Sequence, residues 1–546
     1  MKSITLLFFT FSFTLGFSQW STDSTLNNAI CTEMYDQQDL KITEDGKGGA
    51  IVSWLDYRND PLLKAGDVFV QRIDANGFVK WIANGVAVCT NASDQYGIVI
   101  ESDGVGGAYL AWVDRRSGNR DIYAQHLDSN GVAKWTADGI AVCTAVQTQQ
   151  NVRIVSNGVD GCILVWEDQV STFDVFVQKL NDKGIVQWTA QGVNISSSLG
   201  DQINPKAVSD QAGGVIVTWQ DKRNGSDYDI YAQRISTDGI ALWTANGKVI
   251  CNYAGTQSNP KIASDFNGGA VIAWQDKRNG LDYDIYAQYI KGDGATSWLA
   301  GGKAVSAATG SQSAIDMTSE LGSGVVLTWK DSRQGNSDIY AQKINFSGAI
   351  QWLANGMVVV NSVFDQINPN VISDDNGGAI VTWQDSSSGS WDIRAQHLLS
   401  VGTLDWNVAG KFVSAATNHQ VSPKNCSDGN GGSIFAFQDF RNGSNYDIYA
   451  YKIQIEKSSA ATFEYHLEIV SIFPNPSNGV VNFEVLTPSS SSSYRLTMYN
   501  SLGEQFSTSN FQQHFSTGDL SSGIYFYNIS DSFSNESVTS GKIIVE

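Results

Sequence analysis

The chain has 546 residues, 42% of them hydrophobic and 11% aromatic, with 52 Gly and only 8 Pro. That length supports two or more domains and a large core. The formal net charge of −20 is spread over the chain rather than gathered in a run, and it excludes the basic face that nucleic-acid binding needs.

The first predicted element is a secretory signal, residues 1–18: Lys2, the apolar stretch Ile4–Phe17, then Gly16-Phe17-Ser18 before Gln19. Its apolar stretch is too short to span a bilayer comfortably, no Cys follows the cut, and no later segment reads as a membrane span.

Residues 19–455 repeat one unit. A Trp-x-Asp pair falls at Trp54/Asp56, Trp112/Asp114, Trp166/Asp168, Trp219/Asp221, Trp274/Asp276, Trp329/Asp331 and Trp383/Asp385, with Phe437/Asp439 as an eighth copy. The steps are 58, 54, 53, 55, 55, 54 and 54 residues. In one unit, Pro260–Ser264 reads as a strand and 265–269 as a tight turn. Ala270–Trp274 is an apolar run suited to a strand covered on both faces. A polar loop, 276–284, precedes a third strand, Ile285–Ile290, and Ser297–Ser306 holds a fourth around Trp298. Four short strands per repeat predict a propeller blade.

The fourth-strand Trp occurs at 81, 135, 188, 243, 298, 352 and 406, and again upstream at Trp20, whereas the last unit stops after three strands. The expected fold is therefore all-β: an eight-bladed β-propeller closed by the N-terminal strand, plus a small C-terminal β-sandwich. Closure removes exposed edges; an open stack of β modules is the alternative. Cys31, Cys89, Cys143 and Cys251 share one repeat position, too far apart for bridges, so they read as small buried residues.

The longer loops share one face, where a ligand site is expected. Two features mark it. One is the loop Asp-x-Arg-Asn-Gly, with Asp221 and Arg223 in one copy and Asp276 and Arg278 in another. Charge-assisted bonds within the loop are the plain explanation; a Ca²⁺ site is the sharper one, opposed by the nearby Arg. The other is a Gln seventeen residues before each marker aromatic, including Gln95, Gln202, Gln257 and Gln366. These amides either satisfy the backbone where the chain crosses between blades or ring a channel mouth for a ligand. Trp391 stands in an atypical loop as a candidate for sugar stacking.

No metal, cofactor or catalytic motif stands out. The five His have no ligand-like spacing, and HExxH, CxxC, GxSxG and phosphate loops are missing. Acids recur in every repeat, which points to scaffold. The chain is therefore expected not to be an enzyme; a glycosidase using acids of the long-loop face is the alternative.

After a linker at 456–466 comes Ile472-Phe-Pro474-Asn475-Pro476, a strand at 480–485, a Tyr494–Gly503 segment, Leu520-Ser-Ser-Gly523-Ile-Tyr525 and a terminal strand. Residues 467–546 resemble the type A C-terminal sorting domain of the type IX secretion system of Bacteroidetes-type bacteria. The resemblance rests on Pro474, Asn475, Pro476, Gly503, Gly523 and Tyr525. It departs in a Ser489–Ser493 run and in the final Glu546. It implies export through that machinery to the medium or the outer cell surface. The function expected is a surface-delivered binding or adhesion module for an unidentified glycan or protein. A scaffold for other exported proteins is a third reading.

Overall fold

A continuous apolar strand is stable only when both its faces are covered. Each of Ala50–Asp56, Val215–Asp221, Ala270–Asp276 and Ser433–Asp439 is buried along its whole length. These are second strands of four-stranded antiparallel sheets, of which residues 20–455 form eight. The computed structural model describes 20–455, except 61, 63 and 64, and most of 469–546; no helix occurs among the described residues. The expected signal peptide and linker lie outside them. The chain divides into two compact units, 1–455 and 456–546.

Sheets are numbered here in chain order. Sheet 5 consists of Gln257–Ser264, Ala270–Asp276, Asp284–Ile290 and Lys303–Ser306. Its fourth strand corrects the expectation, because Trp298 precedes it and stands in a turn. The side chain of Gln288 fixes that turn: its Oε1 accepts from the backbone N of Tyr289 (3.0 Å) and Trp298 (2.9 Å), and its Nε2 donates to Leu299 O (2.8 Å). Trp298 Nε1 then donates to Phe346 O of the next repeat, 3.0 Å away. Trp20, Trp81, Trp135, Trp188, Trp243 and Trp352 clasp their following turns in the same way. One glycine is required beside each buried second-strand Trp. Gly247 has φ +91°, and a Cβ there would lie 2.5 Å from the Trp219 ring.

Sheet 8 combines Gln420–Ser427, Ser433–Asp439 and Asp447–Ile453 with the N-terminal strand Asn28–Cys31. Asn28 pairs with Ala450 and Ala29 with Tyr449. Trp20, Ile30 and Cys31 share one buried cluster with Trp54 of sheet 1 and Ile434 of sheet 8. Each first strand packs against the next one, and that of sheet 1 also packs against that of sheet 8.

Every first strand has a bulge at the same point. Asp39, Gly97, Asn151, Asn204, Asn259, Ala314, Asn368 and Ser422, two residues after the repeated Gln, all have φ between 49° and 62°. The register slips there in each sheet, for example between Ser258 and Lys261. Pro205, Pro260, Pro369 and Pro423 sit in the bulge, where no ladder N–H is demanded.

The C-terminal unit has two sheets. One holds Ile469–Phe473, Val480–Val485 and His514–Ser516. The other holds Gln505–Asn510, Tyr494–Tyr499, Gly523–Asp531 and Ser537–Val545. Val481, Leu496, Met498, Tyr527, Ile529 and Ile543 form their common core.

Candidate functional site: a central cation-lined cavity

The residues expected on the long-loop face are occupied by the scaffold. The fully buried Gln202 donates its Nε2 to Leu199 O (3.3 Å) and Gly200 O (2.8 Å), and Gln257 to Tyr253 O (3.0 Å) and Gly255 O (2.6 Å). Gln95 donates to Asn91 O and Ser93 O, and Gln366 to Ser362 Oγ and Phe364 O. In all eight copies the amide oxygen meets no donor among the described residues.

The Asp221 and Asp276 carboxylates, by contrast, are saturated. Asp221 accepts from Trp219 Nε1 (2.8 Å), Arg223 Nε (2.8 Å) and the Arg223 backbone N (3.0 Å). Asp276 accepts from Trp274 Nε1 (2.7 Å) and bidentately from Arg278 (2.9 and 2.6 Å). Both guanidinium groups lie over a third-strand ring, Arg223 at 3.8 Å from the Tyr231 centroid and Arg278 at 3.7 Å from Tyr286. Trp391 is half-buried, and its backbone N donates to His419 Nδ1.

In the C-terminal unit, Asn475 bridges to the last strand through Ile544 N (2.8 Å) and Lys542 O (3.2 Å). Pro476 is exposed beside it. Gly523 pairs with Val545, and the Tyr525 hydroxyl donates to Ser521 O. Pro474 and Gly503 lie outside the described residues.

A concave site lies between the first strands. A cavity of about 720 Å³ is lined from sheets 1, 4, 5, 6, 7 and 8 by the residues of the bulges. Its wall carries Asn204, Asn259, Asn368, Asn370, Ser313 and Ser422, and the cations Lys41, Lys206, Lys261 and Lys424. The bulge explains this lining. Its left-handed residue turns the strand so that in sheets 1, 4, 5, 6, 7 and 8 the side chain four places after the Gln is held at the cavity wall.

The bulge asparagines are braced across sheets. Asn259 donates its backbone N to Gln220 Oε1 of sheet 4 (2.9 Å) and its Nδ2 to Gln275 Oε1 of sheet 5 (2.6 Å). Asn204 does the same between Glu167 (2.6 Å) and Gln220 (2.9 Å).

The cations have few anionic partners. Lys261 pairs with Asp316 at 3.0 Å, and Lys41 with Asp39. Among the described residues Lys424 bonds to the Asn370 amide oxygen, at 3.2 Å, and Lys206 to Asn204 Oδ1 and Pro205 O. Burial, followed by the charges of Arg153 and Lys261, holds Lys206 well below the usual lysine range. Burial also lowers Lys424, with Asp316 opposing and Lys261 and Lys41 reinforcing. Arg153, the equivalent residue of sheet 3, is lowered by burial against Glu167 and Asp39.

At the other end of the first strands the charge reverses. Burial, then the neighbouring Glu44, pushes Glu101 up to about 7. The first-strand cations escaped the sequence reading because they vary: Lys41, Val99, Arg153, Lys206, Lys261, Asp316, Asn370 and Lys424 fill one repeat position. Reading that column for charge, rather than for identity, exposes it.

No curated protein matches the chain. Among solved structures, the β-propeller domain of the Trilobed protease from Pyrococcus furiosus is 8% identical, covering 70% of this chain and 99% of its own, with a TM-score of 0.40. A Hadza microbial sialidase is 10% identical over 65% of this chain and 64% of its own, with a TM-score of 0.35. An α-L-arabinanase from Penicillium chrysogenum is 11% identical over 58% and 97%, with a TM-score of 0.32. Two of these three are glycoside hydrolases, and the expectation that the chain is not an enzyme is corrected on that finding. Residues 471–546 match the family described as the secretion system C-terminal sorting domain. The C-terminal unit is such a sorting domain, and the protein is addressed to the secretion machinery for delivery to the cell surface or the medium.

Proposed function

We propose that the protein is an exported capture protein whose body closes into an eight-bladed propeller and takes a segment of glycan, or another small polar molecule, in its central cavity. One observation carries the reading: a cavity of about 720 Å³ walled by amides, hydroxyls and ammonium groups from six sheets. Its size falls within the ~300–1,000 Å³ of small-ligand sites, too small to accept a folded partner. Hydrogen-bonding side chains pre-set by cross-sheet bonds suit a hydroxyl-rich ligand. The pairing of Asn28–Cys31 with Asp447–Ile453 supports the closed ring. A glycan array probed with the full secreted chain tests the proposal. Ser313→Trp, which fills the cavity, should abolish retention while leaving the melting temperature unchanged. Equal retention by that variant, or none by the unaltered protein, sinks it.

A second reading, sugar hydrolysis, is favoured by Glu101, held near 7 beside Glu44. A half-protonated acid next to a second carboxylate suits proton donation to a leaving group. This moves the chemistry away from the long-loop acids, which Trp and Arg already occupy. Release of reducing sugar that Glu101→Gln abolishes would establish it; no release from a broad polysaccharide panel would dismiss it.

A further inference from the structure

The chain carries a net charge of −20, yet its central cavity concentrates cations. Lys41, Lys206, Lys261 and Lys424 line it, with Arg153 beside Lys206, against two lining carboxylates, Asp39 and Asp316. A scaffold gains nothing from this. Ammonium groups withdrawn from water and set beside one another are destabilising unless an anion joins them. Asp276 of a Trp-x-Asp pair and the turn Asp45 of sheet 1 are each matched with a cation, Arg278–Asp276 at 2.6 Å and Arg72–Asp45 at 2.8 Å. Lys206 and Lys424 differ from those pairs: among the described residues their ammonium groups bond to neutral oxygens.

We infer that the cavity recognises an oxyanion (carboxylate, sulfate or phosphate) borne on a small hydroxyl-rich molecule, with Lys206 and Lys424 as its principal contacts. The inference rests on the cavity being the ligand site and adds the ligand's charge. Arg153 and Lys261 reinforce the field, Lys41 extends it to sheet 1, and Asp39, Asp316 and Glu167 bound it. The asparagines and serines of the bulges face the ligand's hydroxyls. An arriving anion favours the charged form of the two lysines, which burial opposes.

Calorimetric titration of the full secreted chain with trigalacturonate, inorganic sulfate, inorganic phosphate and neutral maltotriose tests this, and the separate arms identify the oxyanion. At least one oxyanion should bind, and more weakly in higher salt. Lys206→Met and Lys424→Met should each weaken it by about tenfold, while Lys206→Arg retains it. Both Met variants should melt no lower than the parent, which separates lost binding from lost folding. Failure of every oxyanion, or oxyanion binding indifferent to both Met variants, overturns the inference. If maltotriose binds in the cavity and no oxyanion does, the charge assignment falls and the wider reading stands; if none of the four binds, the charge assignment falls and the glycan array decides the wider reading.

Discussion

Arg394 Nε lies 3.8 Å from Asp385 Oδ1, and it reaches that carboxylate from a different strand than its counterparts do. In six other sheets the cation follows the Asp by two residues, as in Arg58, Arg116, Arg223, Arg278, Arg333 and Arg441. Sheet 7 has Ser387 there, and its third strand places Arg394 where Tyr123, Tyr231, Tyr286, Tyr340 and Tyr449 stand elsewhere. Arg394 lies over the Phe412 ring at 3.7 Å. The buried Asp385 thus keeps a positive partner, supplied from a different backbone position.

This exchange makes the pair a reciprocal test. Arg394→Tyr alone should destabilise the protein by about 2 kcal/mol, because Asp385 loses its cation. Ser387→Arg combined with Arg394→Tyr restores the arrangement of the other sheets and should recover most of that loss. Thermal melts of the two single variants and the double give the coupling, expected above about 1 kcal/mol; additive effects would refute the exchange.

Removing a saturated Asp should be costlier. Asp276→Ala leaves Arg278 and Trp274 Nε1 without their acceptor. We expect a loss of about 3–5 kcal/mol, read by urea denaturation, and Asp276→Asn should recover only part of it.

Stability should rise on mild acidification. Burial first, then neighbouring carboxylates, pushes Asp229, Asp284 and Asp447 up to about 6. Such groups stabilise the fold fully below the ordinary carboxylate value and lose that contribution as pH climbs through about 6. His397 adds the same sign: burial opposes its charge, but bonds to Asp374 and Asp405 prevail and raise it. Melting temperature should fall between pH 4.5 and 7.5. Asp284→Asn should flatten the slope and gain about 1 kcal/mol at pH 7.5; a profile that rises with pH contradicts this.

The six cysteines are free and buried. Burial pushes the Cys31, Cys89, Cys143 and Cys251 thiols up to about 12, and raises Cys162 and Cys426 as well. A thiol-reactive dye should therefore label none in the folded protein at pH 8 and all six in denaturant. Rapid native labelling would contradict the burial.

Deleting residues 20–32 tests closure. The deletion removes Trp20, Ile30 and Cys31 from their shared cluster with sheets 1 and 8 and bares the edge at Asp447–Ile453. We expect a loss of roughly 4 kcal/mol and a tendency to associate through that edge. An unchanged melt would show that the N-terminal strand fastens nothing.

The sequence was sufficient for the strand content, the eightfold marker and the export tail, because these depend on local pattern. Apolar runs, turn residues and the segments around Asn475 and Gly523 act over a few positions each. It also pointed to the pairing of Asn28–Cys31 with the last repeat, since an unpaired three-stranded unit needs a fourth strand. It misjudged the fourth strand around Trp298, where a distant side chain, Gln288, holds the segment in a turn. The cavity was decided by folding alone. Lys41, Lys206, Lys261 and Lys424 stand more than fifty residues apart, each in a different repeat. They meet because a left-handed bulge recurs at one point of every first strand, and because those strands pack side by side. Charge converging across sheets is a property of distance in space, and no window of sequence contains it.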